Sequence, residues 1–247
     1  MREFDTVILG SGYFSIGYAL NSENVLIVER TQLADPNFGG TLNGFRFEEN
    51  DTWTAETKSL HSFYQENKIV DGDRFNSSVS ESALCAYVKN RKLSFLLGTE
   101  CIGFEKCDGG YRILVANNGG NSKIFCKKVI DTRCFSEGDR LNVLLRGDKE
   151  KLMLKPDKRL KLAVTDAFET CEFILSFCFL ERLDVNSAKA AAMRYLEKNM
   201  DSDGIEIVQF AYLMHSLGND GSICAASYTD AFSAFDAGVK AALEGAV

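Results

Sequence analysis

Apolar positions fall into two patterns along this chain. Near the start they form short unbroken runs, and through the middle they alternate with polar residues. An unbroken run predicts a strand buried on both faces, as in a parallel sheet, whereas alternation predicts a half-exposed strand. Thr6–Leu9 is the first run, and Gly10-Ser11-Gly12 interrupts it. Ile16, Ala19 and Leu20 then recur at helical spacing, Asn21–Asn24 reads as a turn, and Val25–Val28 is a second buried run ending at Glu29-Arg30. The spacing predicts strand, helix and strand, a βαβ unit completed in about 25 residues.

Further along, Thr31–Asn50 is irregular and contains Pro36, Gly39, Gly40 and Gly44. Thr52–Lys68 is amphipathic with helical period, and Asp71-Gly72-Asp73 marks a turn. Ser80–Asn90 predicts another helix, with Ser80 as its cap. Leu93–Leu97 predicts a strand. Cys101–Lys106 and Tyr111–Ala116 flank Asp108-Gly109-Gly110, a hairpin signal, and Lys123–Asp131 returns as strand. From Leu141 the character changes. Leu141–Leu145, Leu160–Thr165 and Glu172–Leu180 predict a second, smaller sheet, and Asn186–Asn199 an alanine-rich helix. Ile205–Leu213 suits either a strand or a helix. Ser222–Ala226 predicts a small-residue strand and Thr229–Leu243 a helix.

The first unit carries the chemistry. A chain turning sharply from strand into helix needs Gly10, and a pyrophosphate approaching backbone N–H groups at the helix start needs the space left by Gly12. A third small residue, Ser15, stands where helix and strand must pack closely, and Ala19 keeps the next contact small. Glu29, nineteen residues after Gly10, closes the second strand with a carboxylate that can accept from a ribose diol. A glycine turn in a ligand-free α/β unit is the plainer alternative, and Arg30 is equally well explained as a solvated basic residue.

Composition narrows the classes. Forty-five per cent hydrophobic and 26% charged residues suit a soluble globular protein. A net charge of −7 argues against nucleic-acid binding by bulk electrostatics. Eight cysteines occur without a CxxC pair, so zinc and iron–sulfur sites lack their usual spacing and no metal is predicted. Free thiols in a reducing cytoplasm are the expectation. No signal peptide is read ahead of the first strand, and no apolar run reaches the ~18 residues of a membrane helix.

Val7-Ile8-Leu9-Gly10-Ser11-Gly12, with Ala19 and Val25–Arg30, resembles the start of the FAD-dependent oxidoreductases of the glutathione-reductase-like superfamily. Phe38-Gly39-Gly40-Thr41-Leu42 is similar to that family's GGT segment, and Val129-Ile130-Asp131-Thr132-Arg133 to its strand-end motif. Ile223–Ala242 resembles its closing strand and helix, in which Gly238 would bring the helix start towards the flavin. The resemblance implies an α/β fold. A Rossmann-like FAD/NAD(P)-binding domain with a parallel sheet and β-meander would span 1–140 and 214–247, and a small second α+β region on the substrate side would span 141–213. It implies FAD as cofactor, held by Gly10, Ser11, Gly12, Tyr13, Phe14, Ser15, Glu29, Arg30, Gly39, Gly40, Thr41, Cys101, Thr132, Arg133, Ser227 and Asp230.

Three positions depart from the family: Ser15 replaces the third glycine, Arg133 stands among what are usually small residues, and Ala225–Asp230 lacks the usual glycine-aspartate pair. Since a flavin supplies the redox chemistry itself, no triad is required. His215, after an apolar run, and Cys134, beside Arg133, are the candidate catalytic groups. His61 is expected on a polar helix face at the surface, and Trp53, Phe63 and Tyr64 in the core. Tyr13 and Phe14 either stack near the cofactor or pack on neighbouring segments. The expected function is an FAD-dependent oxidoreductase acting on a small molecule. The alternatives are a non-catalytic protein binding FAD or only its adenylate half, and an enzyme similar to those of thiazole biosynthesis.

Overall fold

The computed structural model describes residues 2–43, 46–133, 137–155, 160–200, 204–214, 228 and 230–245. Strand β1 (Arg2–Leu9), helix α1 (Tyr13–Leu20) and strand β2 (Val25–Val28) form the βαβ unit that the apolar runs predict. Helix α2 (Ala55–Glu66), the two-residue strands β3 (Val70–Asp71) and β4 (Arg74–Phe75), and helix α3 (Ser80–Val88) follow. Then come β5 (Ser94–Leu96), β6 (Glu100–Cys107), β7 (Gly110–Asn117) and β8 (Gly120–Asp131).

These strands make a six-stranded sheet in the order β5-β2-β1-β8-β7-β6. β1 runs parallel to β2 and to β8, and β2 parallel to β5. β8 plays two parts. Its first half closes the antiparallel meander, Tyr111 opposite Cys126, and its second half runs beside β1, with Leu9 opposite Asp131. The runs in β1 and β2 are unbroken because both faces are covered. Ile8 and Ile27 face the helical layer, whereas Val7, Leu9, Leu26 and Val28 pack with Ile113, Val115 and Ile124 of the meander.

Helix α5 (Ala231–Glu244) crosses α1 at two glycines. A Cβ on Gly17 would strike the Phe235 carbonyl, and one on Gly238 the Phe14 carbonyl, so only glycine permits this helix separation. Gly238 therefore sits in a helix–helix contact with α1. Asp236 of α5 reaches α2, accepting from the Thr54 N–H at 2.7 Å and the Thr57 hydroxyl at 2.8 Å.

The second sheet holds β9 (Glu137–Gly147), β10 (Leu160–Asp166), β11 (Glu172–Asp184) and β12 (Ile205–Phe210), antiparallel in the order β10-β11-β9-β12. Helix α4 (Val185–Asn199) packs Ala188, Ala192, Tyr195 and Leu196 onto it. The ambiguous stretch from Ile205 is thus a strand, paired with β9 around a register shift between Ile207 and Gln209. Ser222–Ala226 lies outside the described residues. No described helix is long and apolar enough to cross a membrane.

The starts of α2 and α3 depart from expectation. α2 begins after Thr54, whose hydroxyl accepts from the Thr57 N–H, so the amphipathic pattern overran the helix at both ends. Ser80 is the first residue of α3 rather than its cap, and its hydroxyl donates to buried Asp35 at 2.5 Å. A tertiary partner took the oxygen that local geometry would have spent on a cap.

Candidate functional site

Four parallel strands, β1, β2, β5 and β8, end on one side of the large sheet, where ligands of open α/β sheets gather. Their ends are tied together by backbone hydrogen bonds. Gly10 N–H donates to Val28 O at 2.8 Å, Thr132 N–H to Leu9 O at 2.7 Å, and Thr99 N–H to Glu29 O at 2.9 Å. Gly10 holds φ of +100°, and a Cβ there would lie 2.9 Å from the Thr132–Arg133 backbone. The sharp turn and the close passage of the chain leaving β8 both require glycine.

A narrow cleft of about 20 Å³ opens over these ends, lined by Ser11, Glu29, Arg30, Thr99, Cys101 and Arg133, with Val28, Thr31, Pro36, Glu100 and Leu213 completing it. Glu29 is 5% exposed. One carboxylate oxygen accepts from the Ser11 N–H at 2.9 Å and the other from the Thr31 N–H at 2.7 Å. A carboxylate offers about four lone-pair sites, so capacity remains for ligand hydroxyls. Arg133 forks onto Asp131, Nε donating at 2.9 Å and Nη2 at 2.6 Å, which fixes its guanidinium at the cleft wall. Burial pushes the Cys101 thiol above its ordinary range, so at neutral pH it lines the cleft as an apolar group.

Of the residues expected to hold a cofactor, Ser11, Glu29, Arg30, Cys101 and Arg133 meet in this cleft. The others take different places. The Ser15 hydroxyl donates to Gly10 O at 2.8 Å and meets the Thr132 hydroxyl at 3.1 Å; that hydroxyl also donates to Gly10 O. This knot binds helix to strand end, the closeness a third glycine would otherwise give. Tyr13 is buried, its hydroxyl 2.7 Å from that of Tyr64 and its ring edge-on to Phe38 and Phe75. Phe14 stacks on Tyr228. Both rings thus pack on neighbouring segments. Gly12, with φ of +146°, is covered by Asn37, whose Nδ2 lies 2.6 Å from where a Cβ would stand.

Gly39, Gly40 and Thr41 belong to a loop wound on Asp35. The Phe38 and Gly39 N–H groups donate to its carboxylate, and burial holds its pKa above the ordinary range against these donors. Gly40 O accepts from the Tyr212 N–H at 2.7 Å and the Leu213 N–H at 2.9 Å. The Asn142 amide donates to Thr41 O and Leu42 O at 3.0 and 2.9 Å, while its own oxygen accepts from Ser176. The GGT-like segment therefore joins the two sheets. Asp230 caps α5, accepting from the Ser233 N–H at 2.9 Å. Ser227, Cys134 and His215 lie outside the described residues.

His61 corrects a surface expectation. It is 8% exposed, and its ring packs 5.3–5.4 Å from those of Phe47, Trp53 and Phe232. The helix face that looks polar in sequence is covered by α5 and the segment at Phe47. Burial lowers the His61 pKa, opposed by Glu49 at 3.3 Å. Thr99 and Glu100 carry no motif, yet they lie three and four residues past the third parallel strand, at the entry to β6, where a search of strand ends finds them. Leu213 carries no local signal; a distant strand delivers it.

No family model matches the chain, and no curated protein does. Solved structures share its fold. The anhydrotetracycline hydroxylase OxyS of Streptomyces rimosus is 14% identical with a TM-score of 0.57, covering 85% of this chain and 52% of its own. The p-nitrophenol 4-monooxygenase of Pseudomonas putida is 12% identical with a TM-score of 0.52, covering 85% of this chain and 67% of its own. A geranylgeranyl bacteriochlorophyll reductase-like protein of Thermoplasma acidophilum is 12% identical with a TM-score of 0.52, covering 98% and 78%. The chain spans about half the length of OxyS. At these identities the likeness establishes the fold: a mixed α/β architecture with a Rossmann-like, largely parallel sheet.

Proposed function

We propose that this chain is an FAD-dependent oxidoreductase acting on a small molecule, with the cleft above β1, β2, β5 and β8 receiving the adenosine end of the cofactor. The observation that carries the reading is the meeting of Glu29, Ser11, Cys101 and Arg133 in one cleft at four parallel strand ends. Its donor set suits the ligand: a carboxylate for ribose hydroxyls, apolar Val28 and Cys101 beside them, and a guanidinium for phosphate. When bound, FAD would supply the electron transfer, and the protein orients it and shapes its surroundings. Hydroxylases and reductases on this fold support the reading. In it, residues 1–140 and 214–247 serve the cofactor and 141–213 the substrate.

Titrating the purified protein with FAD tests this reading. Saturable quenching of flavin fluorescence is expected, and no uptake of FAD by folded protein would overturn it. A second reading, a protein binding only the adenylate half without turnover, draws on Asn37 lying over Gly12 at the helix start. It predicts that ADP binds as tightly as FAD and that bound FAD is not reduced by NADH.

A further inference from the structure

The cleft and the start of α1 are separated in this protein. The usual arrangement sets a pyrophosphate against free backbone N–H groups at the helix N-terminus. Here Asn37 covers Gly12, its Nδ2 donating to Ser11 O at 3.3 Å. Ser11 and Tyr13 are each 1% exposed. Ser11 borders the cleft, but Gly12, Tyr13 and Phe14 do not. Arg133 does border it, with a side chain 37% exposed. Its fork on Asp131 uses two of the five guanidinium N–H donors and holds the group still. Glu29 and Thr99 line the same cleft, so an acceptor for ribose hydroxyls and a cation for phosphate border one space.

We infer that Arg133, rather than the N-terminus of α1, is the principal phosphate-recognising group of this site, so that the chain selects adenine nucleotides over adenosine through one side chain. The inference rests on the nucleotide reading above. It gives Arg133 a specificity-determining role, and Asp131 the task of positioning it. The resemblance to small residues at that point of the family gives no such role; it follows from placing a preorganised guanidinium in a cleft whose usual anion site is covered.

The test compares adenosine, AMP, ADP and FAD binding by calorimetry at low and high salt, for the wild-type chain and for Arg133→Ala, Arg133→Lys and Asp131→Asn. For the wild type, ADP should bind at least tenfold tighter than adenosine, with the difference shrinking in salt. Arg133→Ala should remove that preference while adenosine affinity stays within about twofold, a result loss of structure would not give. Arg133→Lys should restore part of it, since an ammonium keeps the charge without the fork. Asp131→Asn should weaken ADP more than adenosine. If Arg133→Ala keeps the wild-type ratio of ADP to adenosine affinity, the inference is overturned and the helix terminus is the phosphate site after all. If the folded wild type binds none of the four ligands, the nucleotide reading itself fails, and this inference with it. Thermal melts of every variant verify folding, and if Arg133→Ala does not fold, the ratio measured with Arg133→Lys decides the question.

Discussion

The two sheets are held together by different means. Around the six-stranded sheet, backbone meets backbone: α1 and α5 touch through Gly17 and Gly238, and Gly10 lets the chain leaving β8 pass close to the end of β1. In the four-stranded sheet, side chains fill the space, with Leu141, Val143, Leu175 and Phe177 packing near the small residues of α4. The first arrangement puts strand ends and their backbone donors at fixed positions, which a nucleotide site needs. The second rests mainly on side-chain packing and carries no recognisable motif. The asymmetry teaches where specificity is stored. A region built on close backbone contacts declares itself by its glycines, while a region built on side-chain packing declares only its period.

The sharpest way to break this contrast is to enlarge a contact glycine. Gly17→Val should cost more than ~3 kcal/mol, because the added carbons meet a carbonyl that cannot move away. Ala192→Val in α4 enlarges a buried site of the second region and should cost about 1–3 kcal/mol. Urea unfolding of the pair measures both, and equal losses would show that the two layers are equally rigid.

Next comes the joint between the sheets. Asn142→Leu leaves the carbonyls of Thr41 and Leu42 without their side-chain donor and Ser176 without its acceptor. A loss of about 2–3 kcal/mol is expected from buried groups left unpaired. Because Leu213 and Pro36 border the cleft from either side of this joint, nucleotide affinity should fall as well. Unchanged unfolding midpoint and affinity would mean the sheets do not depend on this contact.

Glu29→Ala removes an acceptor shared by Ser11, Thr31 and the ligand. FAD should bind about 10–100-fold more weakly, equivalent to ~1–3 kcal/mol. Titration by flavin fluorescence reads this directly, and equal affinity would remove Glu29 from the site.

The smallest effect concerns pH. Burial holds the folded pKa of His61 below the ordinary histidine value of about 6.5. The folded state therefore takes up its proton less readily than the unfolded chain. Its contribution to stability is full above pH ~6.5 and declines as pH falls through the lowered folded value. His61→Phe, placed among Phe47, Trp53 and Phe232, should flatten the fall in Tm between pH 7 and 5. Parallel wild-type and variant curves would exclude this histidine as the cause.

Much of the fold was legible from period alone, and the reason differs by element. β2 was found to the residue, because four apolar residues between a turn and Glu29 leave no other reading. α2 was overrun, since amphipathic spacing persists past the Thr54 cap that starts the helix. The segment from Ile205 was undecidable until β9 supplied a partner. At the site, Gly10 and Glu29 were legible because turn geometry and strand-end position restrict what can stand there. Tyr13, Gly39 and Gly40 stand in the expected cofactor set, and what the structure adds is that they also hold neighbouring segments together.

By itself, then, the sequence determined the βαβ unit, the meander, the presence of a second sheet and the carboxylate at the end of β2, all features fixed by interactions between residues near in the chain. Only the tertiary structure decided that Ser15 knots onto Thr132, that Asn37 covers the helix start, and that Asp131 aims Arg133 into the cleft. Even the last, a pair two residues apart, gains its meaning from the strands that build the cleft around it. Local sequence restricts backbone conformation, but which groups share a cleft depends on segments more than a hundred residues apart, and no local pattern records that.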